Sequence, residues 1–327
     1  MKAVLSLHLH DFNVIVIRLH YLICMRKAEI QFARPFVKWV GGKTQLLGDI
    51  KNSLPSDFAK KERVTYVEPF VGGGAVLFWI LREYPNITRA IINDINAELI
   101  CTYQVIRDDV ESLIVELTQL QQDYLPLDAV LRKDFFNAQR TRFNNREISS
   151  VETAALFIFL NRTCFNGLYR VNSKGFFNVP HGRYANPLIC DAETLRADSE
   201  LLQRVEILCG DFSQLRQYAG KNVLFYLDPP YRPLSKTSAF TSYSDKGFDD
   251  GDQKRLRDFC EEITRKQAWF VASNSDPRNA NKKDSFFDSL YDGFLIKRVF
   301  ANRMINSKAG GRGAISELMI SNALNVS

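Results

Sequence analysis

The sequence predicts an α/β fold, a doubly wound sheet with helices on both faces and a mainly helical segment inserted into it. Three observations carry this expectation. Six short apolar or β-branched runs read as buried strands: 64–68 (VTYVE), 90–93 (AIIN), 205–209 (VEILC), 223–227 (VLFYL), 269–273 (WFVAS) and 295–299 (LIKRV). Several are followed by helical patterns, as at 74–82 and 252–266, an alternation that places ligands at the carboxyl ends of the strands. From Glu98 to about Leu202 the alternation gives way to long helical patterns, so this stretch is expected as an insertion between strands. Inside it, residues 165–183 (FNGLYRVNSKGFFNVPHGR) set two β-prone arms around Ser173-Lys174-Gly175, the pattern of a hairpin with a glycine-bearing turn.

Composition bounds the function. With 327 residues, 46% hydrophobic and 24% charged, the chain has enough apolar material for one large core and a smaller lobe. A net charge of +6 and a pI near 8.9 favour a polyanionic partner without excluding others. The six cysteines are scattered, with no C-x-x-C pair or adjacent histidine for a zinc site, and are expected to be reduced, mostly buried thiols. Three of the four histidines fall within residues 1–24, leaving only His181 in the body, which argues against a histidine-based mechanism. Residues 1–24 are too polar for a membrane span and lack a signal-peptide cleavage pattern. Met25, followed by Arg26-Lys27, would make a natural start. Two readings of residues 1–24 therefore stay open, a dispensable or untranslated leader and a genuine amphipathic extension.

Three constellations carry chemistry. Lys38-Trp39-Val40-Gly41-Gly42-Lys43-Thr44 ends like a phosphate loop, but Val37 stands where that motif needs its first glycine, which disfavours ATP. A loop beside another ligand, with Trp39 as an aromatic wall and Lys43 meeting a carboxylate, fits better; an ordinary basic loop is the alternative. Glu68-Pro69-Phe70-Val71-Gly72-Gly73-Gly74 closes a strand and opens a helix, where glycines permit close backbone approach. A tight strand-to-helix turn would look the same, but Asp94, at the tip of the next strand, has the position of a ribose-binding acid. Asp228-Pro229-Pro230-Tyr231 follows the strand LFYL, and its prolines hold the Asp228 carboxylate at the strand end. An acid, a fixed backbone carbonyl and an aromatic face are the parts needed to methylate a planar exocyclic amine. Asp228 and the Pro229 carbonyl would accept its N–H bonds while Tyr231 stacks on the base.

Taken together, FVKWVGGKTQLL, YVEPFVGGGAV, IINDINAEL, NRTCFNGLYRVNSKGFFNVPHGRY and LFYLDPPY resemble the Dam-like DNA adenine methyltransferases, especially the DpnII-type modification methylases, from about Arg34 to Asn322. The resemblance implies a Rossmann-like core that uses S-adenosylmethionine, at 25–100 and 203–327, and a target-recognition domain at 101–202. It implies donor contacts from Trp39, Lys43, Asp94 and Asp228, with Phe70, Gly72 and Gly74 beside them and Asp211-Phe212 at the donor's adenine ring. It places Lys38 at the first base of the site and Phe165, Asn166, Leu168 and Arg170 at intercalating and base-reading positions. Arginine can read guanine bidentately and an apolar side chain can wedge between base steps, although a phosphate contact for Arg170 stays open.

The implied partner is double-stranded DNA with GATC as the expected site, met by a monomeric, cytoplasmic enzyme that needs no metal and associates with the nucleoid. Arg255, Arg257, Lys297, Arg298, Arg303, Lys308 and Arg312 are candidates for a phosphate-facing surface. Residues 232–248 and 310–313 are expected as loops that order on DNA. Methylation of cytosine amino groups or of RNA, and a DNA-binding module without catalysis, are the competing readings.

Overall fold

The computed structural model describes residues 33–39, 41–232, 248–302 and 314–322. Seven strands form one sheet: β1 (Val64–Glu68), β2 (Ile87–Asp94), β3 (Val205–Cys209), β4 (Val223–Leu227), β5 (Trp269–Ser275), β6 (Leu295–Asn302) and β7 (Ala314–Ser321). Their order is β3-β2-β1-β4-β5-β7-β6. The neighbours from β3 to β5 run parallel, whereas β7 runs antiparallel to both β5 and β6. All six expected strands are present; β2 begins three residues before and ends one after its apolar run, and β5 and β6 run two and three residues past theirs, because ladder pairing continues there. β7 is absent from the sequence expectation. Its run AISELMIS is interrupted by Ser316 and Glu317, so it shows no clean apolar stretch.

The helices are α1 (Leu47–Lys51), α2 (Ala75–Glu83), α3 (Ala97–Asp108), α4 (Val110–Tyr124), α5 (Ala129–Asn145), α6 (Ser150–Thr163), α7 (Ala192–Leu202), α8 (Asp250–Arg265) and α9 (Phe286–Leu290). The sheet is buried on both faces, as its strand periodicity shows. Tyr66, Leu224 and Tyr226 enter one apolar cluster, while Val67, Phe225 and Leu227 enter another on the opposite side. The second cluster is closed by Leu256, Phe259 and Ile263 of α8.

Between β2 and β3 the chain forms the insertion. Residues 154–160 of α6 are buried without a break, as in a helix surrounded on all sides, and α3, α4 and α5 pack against it. Its start is fixed by a capping box in which the Ser149 hydroxyl accepts from the Glu152 N–H and the Glu152 carboxylate from the Ser149 N–H. The division expected between residues 100 and 101 falls inside α3, which packs on α6, α7 and β3 alike. One apolar cluster accordingly runs from the sheet into the helical lobe.

The segment 165–183 folds back on itself through isolated bridges at Cys164/His181 and Val171/Phe177, not a continuous ladder. A 3₁₀ turn at Phe165–Gly167 breaks the register between them. Gly175, at φ 72°, closes the tip by donating to the Asn172 carbonyl at 2.8 Å.

The thiols correct one expectation. Cys164 and Cys260 are buried, but Cys101 and Cys190 are half-buried and Cys209 is exposed at a strand end. Among the described residues no helix is long and apolar enough to cross a membrane. Residues 1–24, 233–247 and 310–313, with Arg303 and Lys308, lie outside the described residues. Ser149→Ala removes one half of the capping box at the start of the central helix. It should lower unfolding free energy by about 1 kcal/mol, read from urea denaturation.

Candidate active site

The sheet's order reverses beside β1, which has β2 on one side and β4 on the other, and such a switch point opens a crevice at the carboxyl ends of its strands. Glu68, Asp94 and Asp228 lie there, at the ends of β1, β2 and β4.

Asp228 is held from both sides. Its Oδ1 accepts the Ser273 hydroxyl at 2.7 Å, and Ser273 lies on β5, the parallel neighbour of β4. Its Oδ2 forms an ion pair with Lys43 Nζ at 2.8 Å. Lys43 is only 4% exposed, also donates to the Gly41 carbonyl, and has its ammonium 4.7 Å from the Tyr231 ring centroid. The Tyr231 hydroxyl donates to Glu317 of β7. Burial, with the Asp228 and Glu317 charges adding to it, pushes that phenol well above its ordinary range, so it stays protonated. Behind the prolines, fully buried Gln253 of α8 donates to the Pro230 carbonyl at 3.4 Å and accepts from Asn274 of β5 at 3.1 Å. The loop is thus braced by three neighbouring elements.

The glycine loop is shaped by Trp39 and Tyr103. A Cβ on Gly72 would come within 2.7 Å of the Trp39 indole, one on Gly73 within 2.8 Å of Trp39 Cβ, and one on Gly74 within 2.5 Å of the Tyr103 hydroxyl. The chain's own packing therefore demands these glycines, with Gly74 at φ 77° as the N-cap of α2. Trp39 in turn stacks on Tyr169, with centroids 5.8 Å apart.

Asp94 stays partly open while accepting the N–H groups of Gly72 at 3.1 Å and Asn96 at 3.0 Å. Burial raises its carboxyl above the usual range, and these backbone bonds only partly offset it. The next residue, Ile95, is 63% exposed, an apolar surface beside the acid. Asn93 ties the strand ends together, donating to the Pro69 and Gly210 carbonyls at 3.0 and 2.9 Å.

Phe70 and Phe212 pack with centroids 5.4 Å apart. In this conformation Arg255 holds both oxygens of Asp211, at 2.9 and 3.0 Å, and lies over the Phe212 ring. That engagement corrects one expectation. Arg255, Arg257 and Arg298 were candidates for a phosphate-facing surface, yet each is paired with carboxylates: Arg255 with Asp211 and Asp252, Arg257 with Asp258 and Glu261, Arg298 with Asp276 and Asp288. In this conformation these guanidinium groups are engaged by the chain's own carboxylates. Lys297 forms no ion pair among the described residues, and Arg312 lies outside them.

A second group gathers around the hairpin. The Asn161 amide accepts from the Lys38 N–H at 2.8 Å and donates to the Lys38 and Gly167 carbonyls at 2.8 and 2.9 Å. One buried side chain thus fastens the segment at Lys38 to the hairpin base. The exposed Lys38 ammonium sits 5.0 Å from the Tyr184 ring centroid, and Tyr184 accepts the Asn166 N–H at 2.9 Å. Phe165 is 51% exposed, Leu168 is half-buried and Arg170 is exposed.

Sequence reasoning missed Ser273, Glu317, Gln253 and Asn161. A serine closing the apolar run WFVAS and an acid inside ISELMI were the only signals available.

The model of the D12 class N6 adenine-specific DNA methyltransferases matches residues 39–305. The chain is 47% identical over 292 residues to the type II methyltransferase M.MjaIII of Methanocaldococcus jannaschii, covering 88% of this chain and 99% of that protein. It is 40% identical over 294 residues to the type II methyltransferase M1.LlaDCHI of Lactococcus lactis subsp. cremoris, covering 88% and 95%. It is 33% identical over 290 residues to the DNA adenine methylase of Haemophilus influenzae, covering 88% and 92%.

Buried Glu68 carries a pH signature. Burial pushes its carboxyl well above the ordinary range, the Tyr66 hydroxyl bond at 2.8 Å opposes this, and the Asp228 and Asp94 charges add to it. With the folded value raised, the native state keeps a proton that the unfolded chain releases, so stability declines as pH rises above the ordinary glutamate value. Glu68→Gln should therefore gain stability relative to wild type as pH rises above about 5, by at most about 1.4 kcal/mol per pH unit. Urea denaturation across that range measures it.

Proposed function

The chain belongs to the D12 class N6 adenine-specific DNA methyltransferase family, and from that premise we propose that it methylates the adenine of duplex GATC sites after extruding the base. The observation that carries the mechanism is the Asp228 carboxylate, fixed between Ser273 and Lys43 beside the Tyr231 ring.

The adenine amino nitrogen is a poor nucleophile because its lone pair is delocalised into the ring. An N–H bond accepted by Asp228 and a second accepted by the Pro229 carbonyl favour a pyramidal nitrogen with its lone pair free. Tyr231 supplies the stacking face for the extruded base, and its hydroxyl bond to Glu317 fixes the ring plane. Ser273 and Lys43 keep Asp228 oriented and compensate its charge, so little reorganisation is needed as positive charge develops on the nitrogen.

The crevice residues suit S-adenosylmethionine. The glycine loop carries no Cβ beside Trp39, the Asp94 carboxylate remains partly open for ribose hydroxyls, and Ile95 offers an apolar face to a purine. Trp39, Lys43, Phe70, Gly72, Gly74, Asp94, Asp211, Phe212 and Asp228 would hold this donor, which when bound supplies an electrophilic methyl on a sulfonium. Residues 25–100 and 203–327 then form the catalytic domain. Residues 101–202 read the target, with Lys38 and the hairpin residues Phe165, Asn166, Leu168 and Arg170 at the base edges. The enzyme acts as a monomer on cytoplasmic DNA.

Mapping of methylated bases on plasmid DNA incubated with S-adenosylmethionine tests this reading. Methyladenine confined to GATC and absent with Asp228→Ala supports it. Methyladenine at another sequence overturns the hairpin assignment, and methylcytosine overturns the choice of base. Ser273→Ala removes a hydrogen bond to a charged group, so kcat should fall about tenfold or more with a smaller change in KM for DNA. Steady-state kinetics on a GATC duplex checks it.

A further inference from the structure

The geometry points to Asn178 as the residue that positions Arg170 for base reading, an inference that rests on the hairpin's role in recognition. The hairpin's return arm alternates. Phe177 and Val179 are buried, while Phe176, at 40% exposure, and Pro180 are exposed and Asn178 is half-buried between them. Asn178 therefore projects from the same open face as Phe176, away from the core. On the opposite arm, Arg170 is registered against it by the Asn178 N–H, which donates to the Arg170 carbonyl at 3.0 Å.

Across this pair the Arg170 guanidinium is bonded along one edge. Its Nε donates to Asn178 Oδ1 at 2.7 Å, and one Nη donates to the Asn178 carbonyl at 3.4 Å. Side chain and main chain of one residue thus occupy the Nε edge and leave the end of the fork open. The terminal N–H groups are the ones that match the O6 and N7 acceptors of guanine in the major groove. Arg170 forms no ion pair among the described residues, in contrast to Arg255, Arg257 and Arg298, so its charge is not already neutralised.

A long, flexible arginine reads a base only where its planar group is fixed beforehand, since otherwise the ordering cost falls on the complex and the fork contacts phosphate as readily as base. Asn178 supplies that fixation without charge. A carboxylate in the same place would offer the same acceptor, which gives the test its conservative variant.

Asn178→Ala, Asn178→Asp and Arg170→Ala are compared with wild type. The readouts are kcat/KM on a GATC duplex and on duplexes with one base pair of the site replaced, together with thermal midpoints. The expected result is a roughly tenfold loss of discrimination at one position of the site for Asn178→Ala, the position at which Arg170→Ala also loses it, with the midpoint unchanged. Asn178→Asp keeps the acceptor but pairs the guanidinium's charge, so it should retain most of the discrimination with a fall of kcat/KM common to all duplexes. An equal fall of kcat/KM on all duplexes for Asn178→Ala, or unaltered discrimination while Arg170→Ala loses it, overturns the positioning role and leaves Arg170 as a base reader. Discrimination that survives Arg170→Ala at every position overturns the recognition reading and this inference with it.

Discussion

Asp228 is a carboxylate at the mouth of an apolar sheet, and its orientation depends on two hydrogen-bonding partners from distant parts of the chain. Ser273 reaches one oxygen from the parallel neighbour β5, and Lys43 reaches the other from the loop before α1. Neither contact would exist without the sheet order that sets β4 between β1 and β5. The same order brings the glycine loop, Asp94 and Asp228 to the carboxyl ends of neighbouring strands. Chemistry and architecture are therefore one constraint: the switch point puts three acidic strand ends together, and burial with hydrogen bonding decides the state of each. Glu68 is driven toward its neutral form, Asp94 is partly compensated by backbone N–H groups, and Asp228 has an ammonium beside it.

The helical insertion is bound to this site physically. α3 serves both the sheet and the helical lobe, and the Asn161 amide locks the main chain around Lys38 to the hairpin base. Trp39, one residue further on, packs on the glycine loop and on Tyr169 of the hairpin segment. The hairpin segment and the glycine loop therefore share one packed side chain, Trp39, with no linker between them.

Much of this was legible in the sequence. The six apolar runs gave six strands in place, because strands buried on both faces leave an uninterrupted record. β7 left none, since Ser316 and Glu317 punctuate it, and Glu317 serves Tyr231 from that position. Asp228 and Asp94 stood out because each stands at a strand end, and the glycines because they fill the turn from a strand into a helix. Ser273, Gln253 and Asn161 did not, because their partners lie 45, 23 and 123 residues away and only the fold brings them together. The partners of the arginines were hidden for the opposite reason. A basic residue in a sequence shows its charge but not its partner, and Arg255 meets Asp211 across 44 residues.

In the proposed mechanism Asp228, the Pro229 carbonyl and Tyr231 receive an adenine taken out of the duplex. The most direct measurement is a crystal structure of the enzyme with a GATC duplex and a non-transferable analogue of the sulfonium donor. The expected complex holds an extruded adenine whose amino nitrogen lies within hydrogen-bonding distance of Asp228 and the Pro229 carbonyl, with its ring stacked on Tyr231. An adenine still stacked in the duplex, or one whose amino group is held by other residues while Asp228 contacts only Ser273 and Lys43, would contradict it.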